Sequence, residues 1–213
     1  MEGLFKAMGI DNETIQKDAL EALAEVPNFA YHSITEYITK IGEATQHFMS
    51  IEAYTQTRCV MNFWTNLAKQ EQAEKNKNNS QNIFGQYKDS LMAIIFQGLS
   101  ITEDDDANIE ETVDEVAWTV SRACGALLVE VAALLKDQIL AETIQFASGK
   151  LADHSNQAAW QDHYVGIIAL GSVMDGPSVD AIQRELDPAY ATVFALLGQS
   201  GSARVRYATA WLI

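Results

Sequence analysis

Eight carboxylates and not one lysine or arginine fill the stretch from Glu103 to Glu115 (EDDDANIEETVDE). Glu103, Asp104, Asp105, Asp106, Glu110, Glu111, Asp114 and Glu115 repel one another at this density. A cationic partner would relieve that repulsion, and charge pairing would steer its approach within a Debye length of about 8 Å at physiological salt. The bland reading of the segment is a solvated loop between helices. A second chemical reading is calcium. Asp104, Asp106, Asn108 and Glu115 occupy positions 1, 3, 5 and 12 of an EF-hand loop, but position 6 is Ile109 where the sharp turn needs glycine, and no second hand follows. Catalytic groupings are absent. His32, His47, His154 and His163 are scattered, Cys59 and Cys124 stand alone, and neither an HExxH pair nor a phosphate-cradling glycine loop occurs. No catalytic residue, metal or cofactor is expected. Trp118 follows the acidic stretch and Trp211 lies near the end. The usual role of a tryptophan in a helical array is core packing.

These candidates sit in a chain of 213 residues with 14 Lys plus Arg against 29 Asp plus Glu, a formal charge of −15. That balance excludes a phosphate-backbone binder, which needs basic surface to release counterions. Apolar residues at 48% and charged residues at 20% indicate a folded chain. The richest apolar stretch, Gly125 to Leu135, is interrupted by Glu130 and is too short to span a bilayer, so no membrane insertion is expected. No secretory signal opens the chain, and two isolated cysteines give no disulfide framework. The expectation is a soluble, acidic protein of a reducing compartment.

Only three prolines occur, and apolar residues recur at helical spacing along most of the chain. Ile34, Tyr37, Ile38, Ile41, Ala44 and Phe48 form one stripe, and Val116, Val120, Ala123, Leu127, Val131 and Leu134 form another. With no period-two strand pattern, the chain is predicted all-α. The helices fall into five pairs, over 2–26, 34–70, 83–135, 138–174 and 179–213, with a polar linker at 71–81 and the acidic loop at 103–115. Splits at Asp11-Asn12, Asp153-His154-Ser155-Asn156 and Ser200-Gly201-Ser202 carry capping and turn residues. Arg122, His163 and Arg206 each open a run of small side chains, spaced 41 and 43 positions apart by their numbering. Two helices per roughly 40–47 residues is the period of HEAT and armadillo arrays. The chain is therefore expected to be a single α-solenoid of about five HEAT repeats.

Particular motifs sharpen this. Trp160-Gln161-Asp162-His163-Tyr164-Val165-Gly166-Ile167-Ile168-Ala169-Leu170-Gly171, followed by Met174-Asp175-Gly176-Pro177, resembles a HEAT repeat of the importin-β family of nuclear import receptors. Val205-Arg206-Tyr207-Ala208-Thr209-Ala210-Trp211 resembles that family's next repeat, and Phe63-Trp64 its Glu-Phe-Trp-Ser helix. The acidic stretch, Trp118 and Arg122-Ala123-Cys124-Gly125 resemble its acidic loop, tryptophan and Lys-Ala-Ala-Gly. Residues 110–213 carry the strongest likeness and residues 1–30 the loosest.

The resemblance implies a non-enzymatic piece of a receptor several times longer, around its sixth to tenth repeats, shuttling between cytoplasm and nucleus through the pore. With the terminal repeats truncated, Leu4, Phe5, Leu212 and Ile213 are expected to leave apolar faces open. It implies that the acidic loop touches the basic importin-β-binding segment of an importin-α-type adaptor and the GTPase Ran in its GTP state. Trp118 and Trp211 would project into the groove and pack on lysine and arginine stems. The family follows its first tryptophan with asparagine where this chain has Thr119, which removes one amide contact to the adaptor. Trp64 and Trp160 are assigned mainly to packing. Phenylalanine–glycine nucleoporins are expected between helices 2–9 and 34–49, at Leu4, Phe5, Ile38 and Ile41. His163, at a position held by arginine in the other repeats, is read as structural or as surface. Two rival readings stand beside this: a HEAT scaffold for another protein complex, such as a phosphatase, and a calcium-binding helical protein.

Overall fold

The structure, a computed structural model, describes residues 1–102, 118–186 and 190–213. Among these residues there are helices, turns and no strand. The α-helices are α1 (Glu2–Met8), α2 (Glu13–Ala30), α3 (Ile38–Ser50), α4 (Tyr54–Asn76), α5 (Ile83–Gln86), α6 (Lys88–Leu99), α7 (Val120–Leu135), α8 (Leu140–Lys150), α9 (Trp160–Ser172), α10 (Val179–Leu186), α11 (Tyr190–Gln199) and α12 (Ala203–Leu212). They form two compact units, Met1–Ile94 and Ile95–Ile213.

In the first unit, Asn12 begins α2 by accepting a hydrogen bond from the Ile15 amide at 3.1 Å, as its place in the Asp11-Asn12 turn predicts. The helix then runs through Pro27 to Ala30, past the stop expected at Val26. Pro27 forfeits its own backbone N–H bond, and the helix ends three residues later. Gln56 donates to Gln16 at 3.2 Å and Asn66 donates to the Ala24 carbonyl at 2.8 Å, so α2 and α4 run parallel and in register. These bonds join residues 40 and 42 positions apart, which is the repeat spacing expressed as contact. The core gathers Leu20, Leu23, Ile34, Phe63, Trp64 and Phe84. Trp64 packs edge-on against Phe63 and Phe84, and its indole N–H donates to Thr45 at 3.0 Å. Fully burying a large apolar side chain is worth roughly 1.5–3 kcal/mol, so this cluster anchors the unit.

The polar linker expected at 71–81 is corrected at its first half. α4 continues to Asn76, and Glu71 and Glu74 are both buried. The reason is that each carboxylate has fixed partners. Glu71 accepts from the backbone amides of Ile83, at 3.0 Å, and Phe84, and so caps α5. Burial still holds its pKa above the ordinary glutamate value against the pull of those amides. Glu74 takes the Lys77 ammonium at 2.9 Å and the Asn79 amide at 2.9 Å, which hold its pKa low. The chain turns only afterwards, at Asn78 and Asn82 with φ of 56° and 53°. Gln81 then donates to Tyr31 at 2.9 Å, tying this turn to the end of α2. The pair expected over 83–135 opens with two helices, α5 and α6, divided at Tyr87.

The second unit repeats the scheme. Lys150, at the end of α8, pairs with Asp162, at the start of α9, at 2.7 Å, so this pair is antiparallel. Arg204 in the first turn of α12 lies over Trp160 in the first turn of α9, so these second helices are parallel. Links between successive repeats recur at the same spacing. Asp137 accepts from the Ser178 amide at 2.6 Å and hydroxyl at 2.9 Å, and Gln157 accepts from the Gly201 amide at 2.6 Å. Those bonds hold the Asp137 carboxyl below its usual range. Gly176, with φ of 126°, brings its backbone against Ala132, where any side chain would collide. The pair expected over 179–213 opens with α10 and α11, on either side of residues 187–189.

Candidate functional site

Glu103, Asp104, Asp105, Asp106, Glu110, Glu111, Asp114 and Glu115 lie outside the described residues, as does the EF-hand register through Asp104, Asp106, Asn108 and Glu115. The flanks of this segment are described. Ser121, in the first turn of α7, donates to the Leu99 carbonyl that ends α6 at 2.9 Å. Thr119 caps α7 by accepting from the Arg122 amide at 3.4 Å. The acidic residues thus connect two helix ends that the fold ties together.

Trp118 stands immediately before that cap and is 53% exposed, a poor match for a core tryptophan and a good one for a stacking surface. Trp211, in the last turn of α12, is 54% exposed. One part of its ring rests directly on Gly171 in α9. The other tryptophans behave differently. Trp64 is 1% exposed and belongs to the core, and Trp160 is half-buried beneath Arg204. That guanidinium lies 5.8 Å from the Trp160 ring centre and 5.1 Å from Tyr164. The second unit therefore presents two aromatic surfaces on α9 and α12, one already covered by the chain's own cation and one open.

The groove expected at Leu4, Phe5, Ile38 and Ile41 is corrected in part. Ile38 and Ile41 are 2% and 0% exposed. The stripe they belong to faces the core, so they offer no surface to a partner. Leu4 and Phe5 are half-buried; Phe5 stacks on Tyr37 with centroids 6.0 Å apart, and Lys40 lies 5.8 Å over its ring.

His163 proves structural. It is buried, and its Nε2 lies 3.0 Å from the Asp153 carbonyl in the turn before α9, which requires a proton on that nitrogen. Arg206, at the corresponding place in the next repeat, donates to the carbonyls of Ser200 and Gly201 at 2.6 and 3.1 Å. Both residues tie down the turn that precedes their own helix, which explains why a polar side chain recurs there. Cys59 and Cys124 are buried and free, and complete burial pushes the Cys124 thiol up to about 12, far from a reactive thiolate. Among the described residues, no three His, Cys, Asp or Glu side chains are grouped to hold a metal ion, and no helix is long and apolar enough to cross a membrane.

No protein-family model matches the chain. It is 22% identical over 209 residues to importin subunit beta-1 of Arabidopsis thaliana, a match covering 93% of this chain and 23% of that protein. The chain thus spans about a quarter of the relative's length. Its backbone superposes on that of Kap95p bound to RanGDP with a TM-score of 0.85, at 18% identity, over 99% of this chain and 24% of the other. A Kap95:Nup1 complex gives 0.85 at 19% identity over 100% and 24%, and yeast importin-β (Kap95p) gives 0.82 at 20% over 99% and 24%. The importin-β resemblance carried by the sequence motifs is thus met in sequence and in backbone. The fold is the HEAT-repeat α-solenoid of those proteins.

Proposed function

We propose that this chain is part of an importin-β-type nuclear transport receptor and that its second unit grips basic segments of adaptor or cargo. The observation that carries this reading is the pair of half-exposed indoles, Trp118 and Trp211, the first of which follows the Glu103–Glu115 carboxylates in the sequence. An indole takes the aliphatic stem and cation of an arginine or lysine while carboxylates neutralise the head. The role is binding, not catalysis. Kap95p with RanGDP and Kap95 with Nup1 are relatives seen with partners. By that analogy the acidic segment also contacts Ran in its GTP state, and release of a basic partner follows from competition for shared acidic surface. A contact to phenylalanine–glycine nucleoporins falls to Leu4 and Phe5, since Ile38 and Ile41 lie on the buried face of α3. Such a receptor works in cytoplasm, nucleus and pore.

The test is capture of an arginine-rich importin-α-type segment by the wild-type chain and by a variant with Asp104, Asp105 and Asp106 changed to Asn. The variant binds about tenfold more weakly near physiological salt and with a shallower salt dependence, since three charge pairs of about 0.5 kcal/mol each are lost. Equal binding and equal salt slopes remove the acidic segment from the mechanism.

A further inference from the structure

Trp211 can serve as a platform only if its ring is held with one face open, and the last turn of a helix is a poor place to hold it. The restraint comes from α9. A Cβ at Gly171 would lie 2.0 Å from Trp211 Cζ3 and 2.8 Å from both Cε3 and Cη2, well inside contact distance. The six-membered ring of the indole therefore occupies the space that any side chain at position 171 would take. The backbone of α9 is its floor. From this contact we infer that Gly171 is the positioning residue for the Trp211 platform, setting where the indole presents its free face to a guanidinium or ammonium group. This inference rests on the partner-binding reading above.

The same two helices supply an internal contrast. At their N-terminal ends, Arg204 already covers Trp160 and Tyr164. At their C-terminal ends no cation lies over Trp211 among the described residues, and the ring stays 54% exposed. An incoming arginine stem thus meets one prepared ring on this helix pair, and its height above α9 is set by a residue with no side chain.

Gly171→Ala tests this without threatening the fold. Alanine is the better helix former, and the group that must yield is an exposed side chain near a helix end, not backbone. The experiment measures affinity of the full chain for an oligoarginine peptide in wild type, G171A, W211A and the double variant. It also follows the Trp211 indole N–H resonance in wild type and G171A. The expected result is that G171A and W211A each weaken binding by about 3- to 10-fold, the loss of one cation–indole contact. The double variant is no weaker than W211A alone, because Gly171 acts through that ring. The Trp211 resonance shifts in G171A. If W211A weakens binding while G171A binds as wild type, or if the two losses multiply, or if the resonance does not move, the positioning role is overturned and the platform stands. If W211A itself binds as wild type, the platform reading falls and Gly171 has nothing to position.

Discussion

Trp64 and Trp211 show how differently the two units use one residue type. In the first unit the indole is enclosed: Phe63 and Phe84 meet it edge-on, and Thr45 satisfies its N–H. In the second, Trp211 has glycine on one side and solvent on the other. A buried tryptophan needs a polar partner for its nitrogen, whereas an exposed one can leave that nitrogen to water. What separates an anchor from a platform is therefore the neighbours: an acceptor within the core for one, a side-chain-free floor for the other. Both units bury an apolar core of their own, so the contrast lies in the setting of these two indoles.

The largest effect that could break this contrast is on folding. Trp64→Ala should lower stability in urea unfolding by about 3–5 kcal/mol, while Trp211→Ala changes it by less than about 1 kcal/mol. Comparable losses would erase the distinction. Next in size, Glu71→Ala should cost about 2–3 kcal/mol by stranding the buried amides of Ile83 and Phe84. An unchanged midpoint would mean that the α5 cap is dispensable.

A smaller effect sharpens the same point through pH. Burial holds the Glu71 pKa above its ordinary value, so the folded chain keeps a proton that the unfolded chain has lost. Stability contributed there is present below the ordinary glutamate pKa and declines as pH rises through the raised one. Glu71→Gln should remove that decline, seen as a flatter profile of unfolding midpoint against pH; an unaltered profile contradicts the assignment. Glu74 and Asp137 act in the opposite sense. Lys77 and Asn79 depress one and Ser178 the other, so their contribution is present above the ordinary carboxylate range and is lost as pH falls through the depressed values.

Much of the fold was legible because it is local. Asn12 and Ser202 cap where the turns place them, and the 40-residue spacing reappears as bonds between Gln16 and Gln56, Ala24 and Asn66, and Asp137 and Ser178. Glu71 was misread because a run of Glu, Gln, Lys and Asn looks solvated. Its signal was there: Val60, Phe63, Trp64, Leu67, Glu71 and Glu74 continue one helical stripe into the core. Ile38 and Ile41 show the converse error, since an apolar stripe beside a supposed groove is first of all a core stripe. In the site, Trp118 beside the carboxylates was visible in the sequence, and Trp211 came from the family resemblance. The seat of Trp211 was not, because Gly171 lies 40 positions away by numbering and meets it only once α9 and α12 pack. Arg204 over Trp160 escaped for the same reason.

We propose the two open indoles as the receivers of a basic segment. Titrating the full chain with an arginine-rich segment while following the indole N–H resonances of all four tryptophans tests that directly. The predicted result is that Trp118 and Trp211 shift in proportion to bound peptide, that Trp64 stays fixed, and that replacing both open tryptophans with alanine weakens binding by about tenfold or more. Binding that leaves Trp118 and Trp211 unmoved, with the double variant as tight as wild type, would contradict it.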